Sequence, residues 1–132
     1  MHSKSVIGQA EVARVLSAAR QQALAQQWSV TIAVVDDGAH PLALERLDGC
    51  APASAYIATE TARSAALGRR ETRDYEEMVN AGRTAFVTAP LLTSLEGGVP
   101  LQVDGQVVGA IGVSGVKPGQ DAQVAMAGAA AL

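Results

Sequence analysis

The chain has 132 residues and a formal net charge of −3, and 48% of its residues are hydrophobic although only 3% are aromatic. This length is typical of one domain, so we expect a single unit over residues 1–132 with a core of small and β-branched side chains. The basic residues are scattered among acidic ones, which argues against nucleic acid as a partner.

Three further features of the sequence concern location. No run of about 18 apolar residues is present, so we expect no membrane as a partner. The first residues are polar and do not form a signal-peptide pattern. Cys50 is the one cysteine in the chain, so no internal disulfide can form. We therefore predict a cytoplasmic protein.

The first third of the chain predicts a helix followed by a hairpin. Apolar residues recur at three- and four-residue spacing over residues 9–27, which indicates an amphipathic helix. Residues 28–36 are apolar on both alternating faces, as expected of a central strand that is covered on both sides. A turn at residues 37–41 leads into a second strand at residues 41–47, and the two strands form a hairpin.

Two helices are predicted in the middle of the chain. Pro52 and Ser54 open the first, and Gly68 ends it. The second begins after Thr72, whose hydroxyl group is placed to cap it, and Gly82 is its expected end. The segment at residues 84–95 fits a broken helix or a loop equally well, so both remain open.

The last third predicts a second hairpin and a final helix. Residues 97–103 and 106–114 are strands joined by Asp104-Gly105, a strong hairpin signal. Residues 117–119 form a loop, and Asp121 is expected to cap a helix that runs through Ala131. Because the strands come in hairpins, the pattern favours an α/β (α+β) fold with a mainly antiparallel central sheet flanked by helices.

Arg46 is the most informative candidate for a site. Alternation places it on the same strand face as Leu42 and Leu44, and a charge on an apolar face requires a partner. That partner is either an acid of the protein, such as Asp48 or Glu60, or an anionic ligand. Arg63 lies one helical turn from Glu60, so these two form either a surface ion pair or part of the same site.

Glycines at positions 109, 112 and 115 interrupt the last strand. No helix opens directly after them, so they are not a dinucleotide fingerprint. A glycine inside a strand indicates close approach of another backbone or of a ligand, and helix or subunit packing competes with ligand binding as the reason. Ser114 lies within this stretch, but no histidine and acid can be assigned to it as a triad.

Histidine is sparse in this chain. His40 lies in a predicted turn and His2 in the N-terminal tail, where each is either an iron ligand or a solvated side chain. Other side chains that can act as axial ligands of haem are Met78, Met126, Tyr56, Tyr75 and Cys50.

Taken together, five ordered motifs closely resemble the GlcG/HbpS family, and the resemblance extends from about Val12 to the C-terminus. It implies an antiparallel sheet flanked by helices, a homo-oligomer that is often an octamer, and haem binding or iron-linked chemistry in several members. Other members are encoded in catabolic operons, and a few resemble enzymes that act on unsaturated acids, including hydrolytic deaminases. The motifs lie at residues 29–36, 46–49, 97–100, 109–115 and 121–125.

One position departs from the family pattern. The family usually has a lysine in the helix after the Asp-Gly turn, where this chain has Thr61. Either Arg63 replaces that cation or the ligand differs here.

Three functional hypotheses follow. In the first, the protein binds haem or another carboxylate-bearing small molecule. Its contacts come from Arg46, Arg63, Gly97, Gly98 and Ser114, and His40 is the candidate metal ligand.

The second hypothesis is an enzyme, a hydrolytic deaminase or isomerase of aromatic or small-acid catabolism that acts on an unsaturated (amino)dicarboxylate. Proton transfer then falls to Asp36, Asp48, Glu60 or Glu96. The third is an oligomeric accessory subunit whose Ala-rich C-terminal helix packs against copies of itself.

Overall fold

Four strands form one antiparallel sheet that is covered by four α-helices. The computed structural model describes residues 1–132. The strands lie in the order β2-β1-β4-β3, and each neighbouring pair is antiparallel, which confirms the predicted fold. The elements are α1 Gln9–Ala25, β1 Thr31–Asp36, β2 Pro41–Arg46, α2 Ala53–Gly68, α3 Thr72–Asn80, a 3₁₀ helix Thr84–Thr88, β3 Gly98–Val103, β4 Gln106–Ser114 and α4 Pro118–Ala129.

The two faces of the sheet are packed by different kinds of side chain. The face covered by α1 and α4, here the α1/α4 face, buries large aliphatic residues such as Ile32, Leu101 and Ile111. The face covered by α2, here the α2 face, is built mainly from alanines. β1 contributes to both, because Ile32 and Val34 belong to the first cluster and Ala33 and Val35 to the second. This confirms the prediction of a central strand covered on both sides.

Gly112 shows how closely α2 approaches the sheet. A Cβ atom at this position would overlap the carbonyl oxygen of Ala58 and would lie 2.5 Å from the backbone nitrogen of Ala62. Helix packing inside one subunit is therefore sufficient reason for this glycine. Gly109 is confined by the sheet itself, since a Cβ there would overlap the carbonyl oxygen of Val35.

A bulge in β2 changes which residues share a face with Arg46. Leu44 and Arg46 lie opposite Ala33 and Thr31 of β1, so both are on the α2 face. The register shifts between Val34 and Val35, and Leu42 instead lines a hollow against α1. The predicted alternation of Leu42, Leu44 and Arg46 is therefore wrong at Leu42, because a bulge inserts one residue into the strand.

Two predicted helix caps are also corrected. The Thr72 hydroxyl does not cap α3; it accepts a hydrogen bond from the backbone N–H of Gly98 at 2.9 Å. Asp121 lies inside α4, three residues after its first residue Pro118, and accepts a hydrogen bond from the N–H of Val116 at 3.1 Å. Both side chains connect the start of a helix to another segment.

The segment left open by the sequence contains the 3₁₀ helix Thr84–Thr88, where Phe86 stacks on Tyr75 with ring centroids 4.9 Å apart. Helix α1 ends at Ala25, two residues before the predicted end, because Gln27 takes a left-handed conformation with φ 60°.

Every helix of the structure is too short or too polar to cross a membrane.

Candidate functional site

Arg46 lies at one end of the sheet in a row of polar residues. Thr31 is the register partner of both Arg46 and Ser114, so the three lie side by side on the α2 face. Ser54 at the start of α2 and Cys50 in the preceding loop complete this group, here called the Arg46 corner. Arg46 is exposed, and its Nη2 donates a hydrogen bond to the Cys50 carbonyl oxygen at 3.2 Å. No acid lies within ion-pair distance of it.

Beneath Arg46 the corner is held by hydroxyl groups and a thiol. Thr31 Oγ1 and Ser54 Oγ are 2.8 Å apart, and Cys50 Sγ lies 3.6 Å from Thr31 Oγ1. The thiol also donates to the Leu47 carbonyl oxygen at 3.2 Å. Burial raises the pKa of Cys50, but hydrogen bonds with Ser54 and Thr31 and the nearby Arg46 charge outweigh burial and bring that pKa below its ordinary value.

Gly97 and Gly98 are not brought to Arg46. They lie at the start of β3, on the opposite edge of the four-stranded sheet from β2. That separation is about three strand spacings, or about 14 Å. Both glycines are buried, and a Cβ at Gly98 would overlap the carbonyl oxygen of Thr61. Close packing against the backbone of α2 and β4 is sufficient reason for glycine at both positions.

The remaining predicted residues are distributed over the surface. Glu60 and Arg63 pair with each other on α2 at 3.5 Å. Asp36 accepts hydrogen bonds from the backbone N–H groups of Gly38 and His40 and from the His40 ring, each near 3 Å. Burial raises the pKa of Asp36, but these bonds outweigh it and leave that pKa below the ordinary value. Asp48 is exposed.

In this structure His40 therefore stabilises the β1–β2 turn through its hydrogen bonds to Asp36. Its side chain is 78% exposed, and its ring nitrogen is held by a carboxylate. The structure contains no group of three or more His, Cys, Asp and Glu side chains arranged to hold a metal ion.

Glu96 lies beside a buried carboxyl group that the sequence indicated only as a cap. Asp121 is 6% exposed, and burial together with the nearby Glu96 charge raises its pKa to about 7. Glu96 lines an adjacent hollow of about 450 Å³ with Arg73, Glu77 and Gln123. Asp121 is not among the residues that line this hollow, so Glu96 is the neighbouring acid that a molecule bound there would contact. The sequence signal for Asp121 is an acid among apolar residues in the first turns of a helix.

A more apolar hollow lies between the N-terminal segment, α1 and the bulge of β2. It has a volume of about 460 Å³, and Ile7, Val12, Leu16 and Leu42 form most of its wall. Arg46, Glu60, Arg63, Gly97, Gly98 and Ser114 line none of the four hollows of the subunit.

Comparisons with known proteins give a consistent result. A family model described as haem degrading protein HbpS-like matches residues 7–130. Protein GlcG of Escherichia coli K12 is 62% identical over 114 residues, which cover 86% of this chain and 85% of that protein. A crystal structure of a double mutant of Streptomyces reticuli HbpS superposes with a TM-score of 0.88 at 29% identity, covering 100% of this chain and 90% of that one. A PduOC complex with haem superposes with a TM-score of 0.87 at 22% identity, covering 97% and 96%.

Proposed function

The chain belongs to the HbpS-like family, and on that basis we propose that it binds a carboxylate-bearing small molecule at the Arg46 corner, with haem as the first ligand to test. The observation that carries the proposal is the guanidinium of Arg46, which has no acid partner and lies on the same strand face as the 52% exposed Leu44. An arginine presents paired donors that match a carboxylate.

The Arg46 corner fits the carboxylates of haem better than its iron. Leu44 offers an apolar contact for a flat ring, and Arg46 offers donors for a propionate group. Haem iron also requires an axial donor, and the one soft donor here, the Cys50 thiol, is turned inward toward Thr31 and the Leu47 carbonyl oxygen. The axial group is therefore left out of the proposal.

A titration with two porphyrins tests this proposal. Haemin and iron-free protoporphyrin IX carry the same carboxylates, so we expect both to give saturable changes in the visible spectrum with affinities within a few-fold of each other. Replacement of Arg46 by Ala removes charge-assisted hydrogen bonds worth about 1.5–3 kcal/mol, which corresponds to a loss of affinity of at least about tenfold for either porphyrin.

The matched control is Arg70→Ala. Arg70 is also a partly exposed arginine, but it is paired with Asp74 at 3.3 Å, and its loss is expected to leave porphyrin affinity unchanged. Binding of haemin without binding of protoporphyrin would show that iron carries the affinity. An Arg46→Ala protein that binds both like the parent would remove the site assignment.

A second candidate, an enzyme acting on an unsaturated amino acid or dicarboxylate, is favoured by one specific observation. Asp121 is nearly buried beside Glu96, which lines an open hollow, and its pKa of about 7 suits proton transfer at neutral pH. A turnover screen on ring-cleavage acids tests it. Activity that rises with pH through about 7 and is lost in Asp121→Asn would support this candidate, and the absence of turnover at every pH would leave the binding function alone.

Assembly and location remain predictions. The family resemblance predicts a homo-oligomer, often an octamer, and the sequence predicts a cytoplasmic protein. A partner copy can add contacts that one subunit lacks at the Arg46 corner. The oligomeric state of the protein is therefore measured together with each porphyrin titration.

A further inference from the structure

The largest hollow of the subunit lies at the opposite end of β1 from the Arg46 corner and is lined mainly by polar residues. Four segments meet there: the N-terminal tail, the β1–β2 turn, the end of α2 and the β3–β4 hairpin. Its volume of about 540 Å³ lies within the range of about 300–1,000 Å³ found for small-molecule sites. The residues that line it are His2, Ser3, Lys4, Asp37, Arg69, Gln102, Gly105, Gln106 and Val107.

The charges of this hollow leave one cation uncompensated. Lys4 Nζ lies 2.6 Å from Asp37 Oδ2, so these two neutralise each other. Arg69 has no acid within ion-pair distance. The protein as a whole carries a net charge of −3. The unpaired guanidinium of Arg69 therefore makes this concave surface locally positive on a protein that is negative overall.

The backbone conformation of Arg69 makes its side chain testable. Arg69 caps the C-terminus of α2 in the left-handed conformation, with φ 55° and ψ 40°, and its N–H bonds to the Ala65 carbonyl oxygen. Glycine is the usual residue at this position, because a Cβ atom is disfavoured there. Glycine can therefore replace Arg69 without backbone strain, so that a substitution there tests the side chain alone.

Further donors for a bound anion line the same hollow. The hairpin supplies the side-chain amides of Gln102 and Gln106, and Asp104 and Gly105 form its turn with φ values of 51° and 77°. One N–H of the Gln106 amide bonds to the Ser3 carbonyl oxygen at 3.1 Å, which ties the tail to the hairpin. A primary amide has two N–H groups, so the second remains available.

We propose that this hollow, the Arg69 hollow, is a second ligand site that binds a small dianionic oxyanion through the guanidinium of Arg69 and the amides of Gln102 and Gln106. Carboxylate and phosphate share the paired oxygens that an arginine fork recognises. The site is independent of the Arg46 corner, so the two proposals can fail separately.

Chemical-shift titration of ¹⁵N-labelled protein with succinate, and separately with inorganic phosphate, at constant ionic strength tests the proposal. We expect saturable shifts confined to Arg69, the hairpin and residues 2–4. A response to succinate alone identifies a dicarboxylate ligand, a response to phosphate alone identifies a phosphate ligand, and both responses support the site. No saturable shift with either anion overturns it.

The decisive variant is Arg69→Gly. Glycine relieves the left-handed backbone, so the thermal midpoint should be no lower than that of the parent, while affinity for the responding anion should fall at least tenfold. Arg83→Ala is the matched control, because Arg83 also has no acid within ion-pair distance and lies outside the hollow. Unchanged binding in Arg69→Gly, or an equal loss in Arg83→Ala, contradicts the assignment.

Discussion

The α1/α4 face and the α2 face of the same sheet differ in the size of the side chains that lie between helix and strands. On the α1/α4 face, large side chains such as Ile32 and Leu101 fill the space between layers. On the α2 face, alanine and glycine let the helix backbone rest almost directly on the strands. The first arrangement can adjust by rotating side chains, whereas the second has little side chain to move. Tolerance to substitution should therefore differ sharply between the faces.

The largest effect is expected where two backbones meet on the α2 face. A Cβ at Gly112 would overlap the carbonyl oxygen of Ala58, and neither backbone can rotate away. We expect Gly112→Ala to lower the free energy of unfolding by about 4 kcal/mol or more, above the usual range for overpacking. Urea denaturation monitored by circular dichroism measures this.

Gly128→Ala is the matched control on the α1/α4 face. Its added Cβ would meet the side-chain atom Ile111 Cδ1 at 2.6 Å, and the Val15 carbonyl oxygen and Ala19 Cβ less closely, at 3.0 and 3.1 Å. The gain in helix propensity offsets part of this crowding. We expect a loss of about 1 kcal/mol, part of which is recovered when Ile111→Val removes the nearest atom. Equal losses in the two glycine variants would show that the faces do not differ in this way.

A smaller effect is expected from polar groups, and it depends on pH. The buried polar residues of the α2 side are neutral hydroxyls, including Thr31, Thr61 and Ser114, whereas α4 buries the carboxyl group of Asp121. The folded-state pKa of Asp121, about 7, lies above its ordinary value of 3.8. The folded protein therefore binds this proton more tightly than the unfolded chain, and the stabilisation is complete below pH 3.8 and is lost as pH rises through 7.

Asp121→Asn is expected to remove this dependence. The pKa shift sets an upper limit of about 4 kcal/mol, and we expect about 2 kcal/mol of relative stabilisation of the variant at pH 8 compared with pH 4, because buried charges relax toward solvent. Denaturation series across this pH range check it. Asp74→Asn, at an exposed ion pair, should follow the parent. If Asp121→Asn keeps the parental pH slope, the stability change has another source.

Much of the fold could be predicted because it depends on local patterns. The apolar spacing of α1, the two-sided apolar strand β1 and the Asp104-Gly105 turn each satisfy a local geometric rule, and the structure has all three. The bulge in β2 was missed, since an inserted residue leaves no trace in an alternating pattern until the partner strand is known. The caps predicted at Thr72 and Asp121 were wrong for different reasons. Thr72 accepts its hydrogen bond from Gly98, 26 positions away, whereas α4 begins earlier than predicted, at Pro118, so that Asp121 bonds back to Val116 in the loop before it.

The candidate site was predictable only in part. Arg46 and Ser114 were selected from sequence and do lie in one row across the sheet. Gly97 and Gly98 were grouped with them, although strand order places these glycines at the opposite edge. Cys50 was selected only as an axial group, because the contact that ties it to the corner is with Thr31, 19 positions away in the chain.

By itself the sequence determined the elements, the antiparallel sheet and the family, because hydrophobic spacing and turn residues act over a few positions. Only the tertiary structure decided which charges remain uncompensated, which glycines are pressed against backbone and which carboxyl group is buried. Those properties depend on strand order, register and helix docking. Each brings distant residues together, so none can be read from neighbours in the chain.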